Sequence, residues 1–328
     1  MSTTEVNKAK LLESLWRWGH LWNPANPNGL NVDQSNVGKL ALTDRIAKDA
    51  IASWQGFDAN FDALAFIVHL RGIIADGEVG PVTNAMLDAK RCSMPDFPPP
   101  PNAAFQYDNP DLQAAVESYQ RYAAAGYVGG SGSWPKGCDP LAPNVHSVVV
   151  AIDTNNASSS QKSIIDQVLK YVEETEAEVG QSVRHVRDGS FPNPQHNVRF
   201  ESIPGSVIGY AYFPDPNTCR QTVQARIDNT FGASLPVLAE LLTHEYKGHS
   251  DGLEHTRGGI MNASIGSPTQ RASWKGDPSQ AAKFRYFGGI PIPTNDPTPT
   301  PTPNPNPTPD YNGVFMLGNK LLKIKVWE

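Results

Sequence analysis

Cysteine, charge and long apolar runs are all scarce in this sequence of 328 residues. It has three cysteines, and charged residues make up 18% of it, with 27 basic against 33 acidic side chains and a net charge of −6. No stretch approaches the roughly 20 apolar residues of a membrane-spanning helix, and no basic run is typical of nucleic-acid binding. We therefore expect neither a membrane span nor a nucleic-acid partner.

The first residues also lack the pattern of a secretory signal. Residues 1–10 are mostly polar and lead into an amphipathic helical pattern that contains Glu13 and Arg17, whereas a signal has an uninterrupted apolar segment. Export would need another route, and a component of a phage particle, released by lysis, would need none. An extracellular or virion location is the expectation.

Proline, in contrast, is abundant, and its distribution suggests how the chain is divided. The densest run is residues 291–310, where Thr-Pro and Asn-Pro repeat, and it predicts an extended linker. Residues 311–328 predict a small hairpin that is too short to bury its own core, so it either docks onto this protein or a larger assembly or stays disordered. With about two globular domains expected for this length, the predicted parts are 1–97, 98–290, 291–310 and 311–328.

Three of the eight histidines lie within twelve residues, at His244, His249 and His255. Neutral imidazoles are good zinc ligands, and three of them leave the fourth tetrahedral position open for water. Glu245 directly follows the first histidine, and a carboxylate beside that water can take its proton. The segment predicts a hydrolytic zinc centre with these histidines as ligands and Glu245 as general base.

The segment resembles the metzincin signature H-E-x-x-H-x-x-G-x-x-H. Residues 258–262, which read G-G-I-M-N, fit the methionine turn of that family, with Met261 beneath the metal. Together with L-E-H at the third histidine, they are most similar to the matrixin branch, the relatives of matrix metalloproteinases. The resemblance implies an α+β catalytic domain with a twisted mixed sheet of about five strands and three helices, which cleaves peptides or proteins. The carbonyl ligands of a Ca²⁺ site are not readable from the sequence.

The segment departs from this signature at one position. Three residues rather than two separate Glu245 from His249, and side chains five apart on a regular helix diverge by roughly 140°. A single π-type turn would absorb the extra residue, and a dipeptidyl peptidase family with an H-E-L-L-G-H helix has a similar insertion. We expect such a turn here, in which case deletion of Lys247 should leave the imidazoles facing one metal.

A second motif lies far upstream, at residues 90–96, which read K-R-C-S-M-P-D. It resembles the matrixin cysteine switch P-R-C-G-x-P-D, in which a propeptide thiolate occupies the open zinc position and keeps the enzyme latent. Arg91 and Asp96 match the pair that forms a salt bridge in that peptide, while Lys90 replaces proline and Ser93 replaces glycine. The resemblance implies a zymogen with Cys92 as the switch.

The region before this motif is expected to be a three-helix domain. Apolar residues recur at helical spacing in residues 6–21, and a second helix is expected over 44–54. Residues 76–87 resemble the D-G-x-x-G-x-x-T repeat of peptidoglycan-binding-like domains, the module that also forms the matrixin propeptide. Because this motif specifies a fold better than a sugar site, two functions stay open, a purely inhibitory lid and a module that also binds peptidoglycan.

The region between residues 111 and 289 alternates strand and helix patterns. Residues 209–214 resemble the matrixin strand segment L-A-H-A-Y-F-P, an edge against which a substrate pairs as an added strand. The predicted strands are 146–152, 183–186, 198–203, 207–213 and 223–227, and the predicted helices are 111–125, 160–179, one capped by Ser234 that delivers His244, and 279–287.

Two further groups of residues allow more than one interpretation. Cys138 and Cys219 can form a disulfide in an oxidising setting or stay free thiols. His185, Asp188 and His196 lie where matrixins build a structural zinc site, but the pattern is incomplete, and ordinary surface residues are the simpler interpretation. The alternative function for the whole chain is a cell-wall-binding or virion-anchored structural protein whose zinc centre is degenerate and inactive.

Overall fold

The computed structural model of the chain divides into two compact units, Met1–Ile290 and Pro291–Glu328. Among the residues that the structure describes, no helix is long and apolar enough to cross a membrane. The described residues are 3–22, 34–58, 77, 79, 87, 89–100, 106–126, 147–187, 196–214, 223–231, 234–265, 268–286, 313–317 and 320–324.

The N-terminal part of the larger unit is helical, with α1 (Thr3–Arg17), α2 (Gln34–Val37) and α3 (Arg45–Asp58). Helix α3 confirms the helix predicted over 44–54, and α1 confirms the helical pattern of 6–21 only as far as Arg17, where it ends. The third helix of the expected domain falls within residues 76–87, most of which lie outside the described residues, so the three-helix domain stays a prediction. The buried side chains that form the core of this part include Leu11, Leu12, Leu15, Trp16, Ala47, Ile51 and Trp54.

A mixed six-stranded sheet forms the centre of the larger unit. Its strands are β1 (Arg91–Cys92), β2 (Ser147–Asp153), β3 (Ser182–Arg187), β4 (His196–Glu201), β5 (Val207–Ala211) and β6 (Val223–Asp228). They lie in the order β1-β5-β6-β4-β2-β3, and the pairs are parallel except β5 with β6. The α+β class and five of these strands are as predicted, and the sixth, β1, comes from the segment that contains Cys92.

Four more helices belong to the same unit: α4 (Pro110–Ala124), α5 (Ser159–Ala177), α6 (Leu235–Lys247) and α7 (Gln280–Tyr286). A capping box between Ser158 and Gln161 fixes the start of α5. The Gln161 side chain also donates to the carbonyls of Asp228 and Phe231 at 3.0 and 3.2 Å, which ties this helix to the end of β6. The packing between the sheet, α5 and α6 buries Val150, Ile165, Val168, Val198, Phe200, Ile227, Leu238, Leu241 and Leu242, among others.

The edge of β5 at which the sequence predicts an added substrate strand is occupied by β1. Strand β1 pairs with it in parallel, with Arg91 opposite Val207 and Cys92 opposite Gly209. An uncovered strand leaves a row of backbone N–H and C=O groups without partners, and β1 satisfies part of that row. Residues 91–93 run between β5 and the loop after Met261. Their backbone N–H groups donate from Arg91 to Ser206 O at 2.9 Å, from Cys92 to Ala263 O at 2.8 Å and from Ser93 to Gly209 O at 3.0 Å.

The smaller unit contains two strands, β7 (Gly313–Leu317) and β8 (Lys320–Ile324). They pair antiparallel, with Leu317 opposite Lys320, so the strand pairing expected within residues 311–328 is confirmed. The predicted linker over 291–310 lies outside the described residues.

Candidate metal centre

Helix α6 carries the first two residues of the predicted site. Pro236 lies in its first turn, where a missing N–H costs no helical hydrogen bond. Leu238, Leu241 and Leu242 are fully buried, and complete burial of each such side chain contributes about 1.5–3 kcal/mol. Ser234 is the N-cap residue, as predicted, but its side chain makes no capping hydrogen bond, and the packing of the leucines stabilises the helix.

The helix ends at Lys247, before the second histidine. Gly248 leaves the helical conformation with φ −100° and ψ −83°, and a 3-10 turn follows over His249–Asp251. Residues 244–255 are all described and contain no π-type turn, so that prediction is wrong. The extra residue is accommodated by a break at the end of the helix. The expectation that Lys247 can be deleted depended on the π-type turn, so we no longer hold it.

Glycine is the only residue type that fits at position 248. A Cβ atom there would overlap Met261 Sδ and the carbonyl oxygen of His244. Met261 is fully buried and lies directly against the bend of the chain between the first two histidines. The loop that carries it therefore supports the turn that brings His249 round to His244.

His244, His249, His255 and Cys92 meet in one buried group, here named the His3Cys cluster. Their ligand atoms all lie within 4.8 Å of one another. The Nε2 atom of His255 is 3.1 Å from that of His249 and 3.3 Å from that of His244, and Cys92 Sγ is 3.5 Å from His249 Nε2. Tetrahedral zinc, with Zn–N about 2.0–2.1 Å and Zn–S about 2.3 Å, has N···N edges of about 3.3–3.4 Å and N···S edges of about 3.6 Å. These three distances are close to such edges, and the other pairs of ligand atoms lie within 4.8 Å.

Hydrogen bonds at the other ring nitrogens determine where two of these imidazoles carry their proton. His244 Nδ1 donates to the carbonyl of Ile260 at 2.7 Å, and His249 Nδ1 donates to the carbonyl of Leu253 at 2.8 Å. A carbonyl oxygen only accepts, so the proton must be on Nδ1. The Nε2 atoms of both rings therefore carry lone pairs that point into the cluster.

His255 has the same orientation with a different partner. Its Nδ1 lies 2.8 Å from Asp96 Oδ1, outside regular hydrogen-bond geometry, and the adjacent carboxylate still favours a proton on that nitrogen. The Nε2 atoms of the three rings thus face one another at short range, where one cation can bind all of them. The cluster can hold a metal ion.

Burial keeps the imidazoles in the neutral form that binds metals. It lowers the pKa of His244 to about 3, with the charge of His255 adding to the effect. It also lowers the pKa of His249 well below its ordinary value, again with His255 contributing. Both rings are therefore neutral ligands at physiological pH.

Glu245 lies beside the His3Cys cluster and is fully buried. Burial raises the pKa of Glu245 well above its ordinary value, and the Cys92 thiol beside it partly opposes this shift. Neither carboxylate oxygen has a regular hydrogen-bond partner among the described residues. Gly209 on β5 makes room for the carboxylate, because a Cβ there would come within 2.6 Å of Glu245 Oε1. For the Cys92 thiol, burial and then the charge of Glu245 raise the pKa.

Lys247, at the insertion, enters a second buried group that we name the ionic cluster: Lys247, Asp251, Glu176 and Lys283. Asp251 Oδ2 lies 2.9 Å from Lys247 Nζ and 2.7 Å from Lys283 Nζ, and Glu176 Oε2 lies 2.9 Å from Lys283 Nζ. All four side chains are at most 2% exposed. Two cations balance two carboxylates, and the cluster joins the end of α6 and the turn of His249 to α5 and α7.

The remaining sequence-predicted residues do not reach the His3Cys cluster or are not described. The ring nitrogens of His185 lie 2.6 Å from Tyr246 Oη and 2.8 Å from Glu173 Oε1. Asp188 and the side chain of His196 lie outside the described residues, as do Cys138 and Cys219. The structural zinc and the disulfide therefore stay predictions.

The sequence did not indicate three of the contacts around the site. They are the approach of Asp96 to His255, the space that Gly209 leaves for Glu245, and the pairing of Lys283 with Asp251. Each joins residues far apart in the chain, so local spacing carries no signal of it.

Comparison with known proteins adds no relative: no protein-family model matches the chain, and no curated protein matches it.

Replacement of Gly248 by alanine should displace Met261 or the His244 backbone and weaken metal binding. Overpacking of this kind costs about 1–3 kcal/mol, and we expect the metal content of the purified protein to fall by at least half. Gly38→Ala is the control, because a Cβ at Gly38 meets nothing within 4 Å. A Gly248→Ala protein with the stability and metal content of the wild type would contradict the role of this bend.

Replacement of Lys247 by methionine should leave the ionic cluster with one cation for two carboxylates. Loss of one partner from a buried ion pair costs about 3–5 kcal/mol, and urea unfolding measures this change. The double variant Lys247→Met/Asp251→Asn restores the charge balance and should regain at least half of the lost free energy of unfolding. A single variant that loses less than about 1 kcal/mol would show that Lys247 does not stabilise the turn.

Proposed function

We propose that the protein is a zinc-dependent endopeptidase made as a self-inhibited zymogen. The observation that carries this proposal is the convergence of three imidazoles on one buried point, with Cys92 at the fourth side and Glu245 beside it. Three nitrogens and one thiolate form a borderline-soft donor set that is typical of zinc.

The chemistry follows from the positions of the protein groups. Zinc, when bound, lowers the pKa of water and polarises a carbonyl oxygen. Glu245 is not among the grouped ligands, so its carboxylate can accept a proton from the attacking water and return it to the leaving amine. The closely packed surroundings exclude other water and strengthen the electrostatic interactions at the site.

An extended peptide is the substrate class that fits the groove between β5 and the loop after Met261. Residues 91–93 fill this groove through backbone hydrogen bonds to Ser206, Gly209 and Ala263. Such bonds require no particular side chain, so another extended peptide can replace this segment after its release. This supports peptide or protein as substrate.

Latency follows from the same contacts. Cys92 Sγ lies 3.5 Å from His249 Nε2, at the side of the cluster where water would have to enter. The backbone on either side of Cys92 occupies the groove that a substrate would need. Activation therefore requires residues 90–96 to leave the site, either by cleavage or by a conformational change.

One observation favours a second function. Four protein donors can close a zinc site completely, as in structural centres, and Cys92 supplies the fourth donor here. The protein would then be a cell-wall-binding or virion-anchored structural protein with an inactive centre. Peptidoglycan binding by residues 1–97 rests on the resemblance of residues 76–87, most of which lie outside the described residues.

Replacement of Cys92 by serine should activate the full-length chain without cleavage, because a hydroxyl is a weaker zinc ligand than a thiolate. We expect hydrolysis of casein or a quenched fluorescent peptide to rise at least about tenfold, which corresponds to about 1.4 kcal/mol of lost inhibition. Equal activity of wild type and Cys92→Ser would remove the switch from this account, and bound zinc with no hydrolysis would favour the structural function.

Replacement of Glu245 by glutamine, introduced into the Cys92→Ser protein, should abolish base chemistry but leave the ligands intact. We expect zinc content to be unchanged and turnover to fall at least ~10²-fold. Glu240→Gln, on the same helix, is the matched control and should keep full activity. Normal hydrolysis by the Glu245→Gln protein would refute the assignment of the general base.

A further inference from the structure

Asp96 contacts not only Arg91 within the switch peptide but also His255 in the His3Cys cluster. Its buried carboxylate lies 2.6 Å from Arg91 Nη2 and 2.9 Å from His20 Nε2. The Arg91 salt bridge is the one that the resemblance implies, and it is confirmed. Asp96 Oδ1 also lies 2.8 Å from His255 Nδ1, and this contact joins residues 90–96 to the His3Cys cluster.

We propose that Asp96 is a positioning residue of the metal centre, which holds His255 in its ligand orientation while Cys92 fills the fourth side. A metal-ligating imidazole is normally held at its second nitrogen by a carbonyl or carboxylate, and loss of that partner typically costs about 10–100-fold in metal affinity. His244 and His249 take this contact from carbonyls within residues 253–260. Among the described residues, His255 takes it from Asp96, in the segment that must leave on activation.

The surroundings of Asp96 suit this role. Arg91 and His20 each contact the Asp96 carboxylate directly. The Asp96 backbone N–H donates to Trp18 O at 2.8 Å, and Arg91 lies 4.1 Å over the Trp18 ring. The carboxylate is thus fixed by contacts to three other residues, as an orienting group must be.

Release of residues 90–96 should therefore weaken metal binding. These residues supply the Cys92 ligand and the Asp96 carboxylate that orients the His255 ligand, so the latent chain binds metal more tightly than the centre from which they have been released. By linkage, bound metal strengthens the docking of the segment by the same factor. A role of this coupling in regulation rests on the proposed zymogen function. The metal affinity itself can be measured without any hydrolysis.

The test compares two full-length variants that break the same salt bridge. Asp96→Asn should weaken Zn²⁺ binding by about 10–100-fold, as measured by competition with a chromophoric chelator. Arg91→Met also loses the salt bridge but keeps the carboxylate beside His255, and should change the affinity by less than about threefold. Equal losses in the two variants would overturn the proposal, because Asp96 would then act only through the folding of the switch peptide.

Cobalt(II) provides an independent measurement, because a thiolate bound to cobalt gives a charge-transfer absorption band. The Asp96→Asn protein should keep this band when saturated with Co²⁺, which shows that Cys92 is still docked while the affinity falls. Loss of the band would mean that the segment has left the site, and would overturn the proposal.

A double variant covers the case in which Asp96→Asn does not fold. Arg91→Met/Asp96→Asn removes both charges of the buried pair, a change that is often tolerated, and it should bind Zn²⁺ about 10–100-fold more weakly than Arg91→Met. Equal affinities would overturn the role of Asp96. None of these measurements depends on peptidase activity, so a failure of the proposed function would be recognised separately, in the Glu245→Gln and Cys92→Ser assays.

Discussion

The convergence of three imidazole side chains and the Cys92 thiol on one buried point is the constraint on which the rest of the structure depends. Two backbone carbonyls accept from the outer ring nitrogens of His244 and His249, and the Asp96 carboxylate lies beside the outer nitrogen of His255. The inner nitrogen of His255 lies 3.1–3.3 Å from those of the other two rings, and Cys92 Sγ lies 3.5 Å from that of His249. One metal ion can take a donor atom from each of the four side chains.

The surrounding packing holds these four side chains in place. Met261 fills the space beneath the bend at Gly248, and the ionic cluster fastens the following turn to α5 and α7. The Met261 contact and the ionic cluster both act where the chain leaves α6. Without them, the extra residue would turn His249 away from His244. The insertion relative to the metzincin signature is therefore compensated by long-range contacts, and the helix itself stays regular to its end.

The parts of the structure that the sequence predicts are those with a local signal. Alternating apolar residues indicated five strands, helical spacing indicated α1, α4 and α5, and the spacing of the histidines indicated the three imidazoles that meet in the His3Cys cluster. The end of α6 at Lys247 was not predictable, because the conformation of Gly248 depends on Met261 in a later loop. Strand β1 has two residues and no periodicity, so its existence depends on the free side of β5. The contact between Asp96 and His255 joins distant segments and is visible only in the fold.

We propose that the intact chain holds one zinc ion through the three imidazoles and Cys92 of the His3Cys cluster. X-ray absorption at the zinc edge of the full-length protein, with its metal content determined in parallel, is the decisive experiment. We expect stoichiometric zinc with nitrogen neighbours at about 2.0–2.1 Å and one sulfur neighbour at about 2.3 Å. Zinc bound without a sulfur neighbour, or a purified chain that binds no stoichiometric zinc, would contradict it.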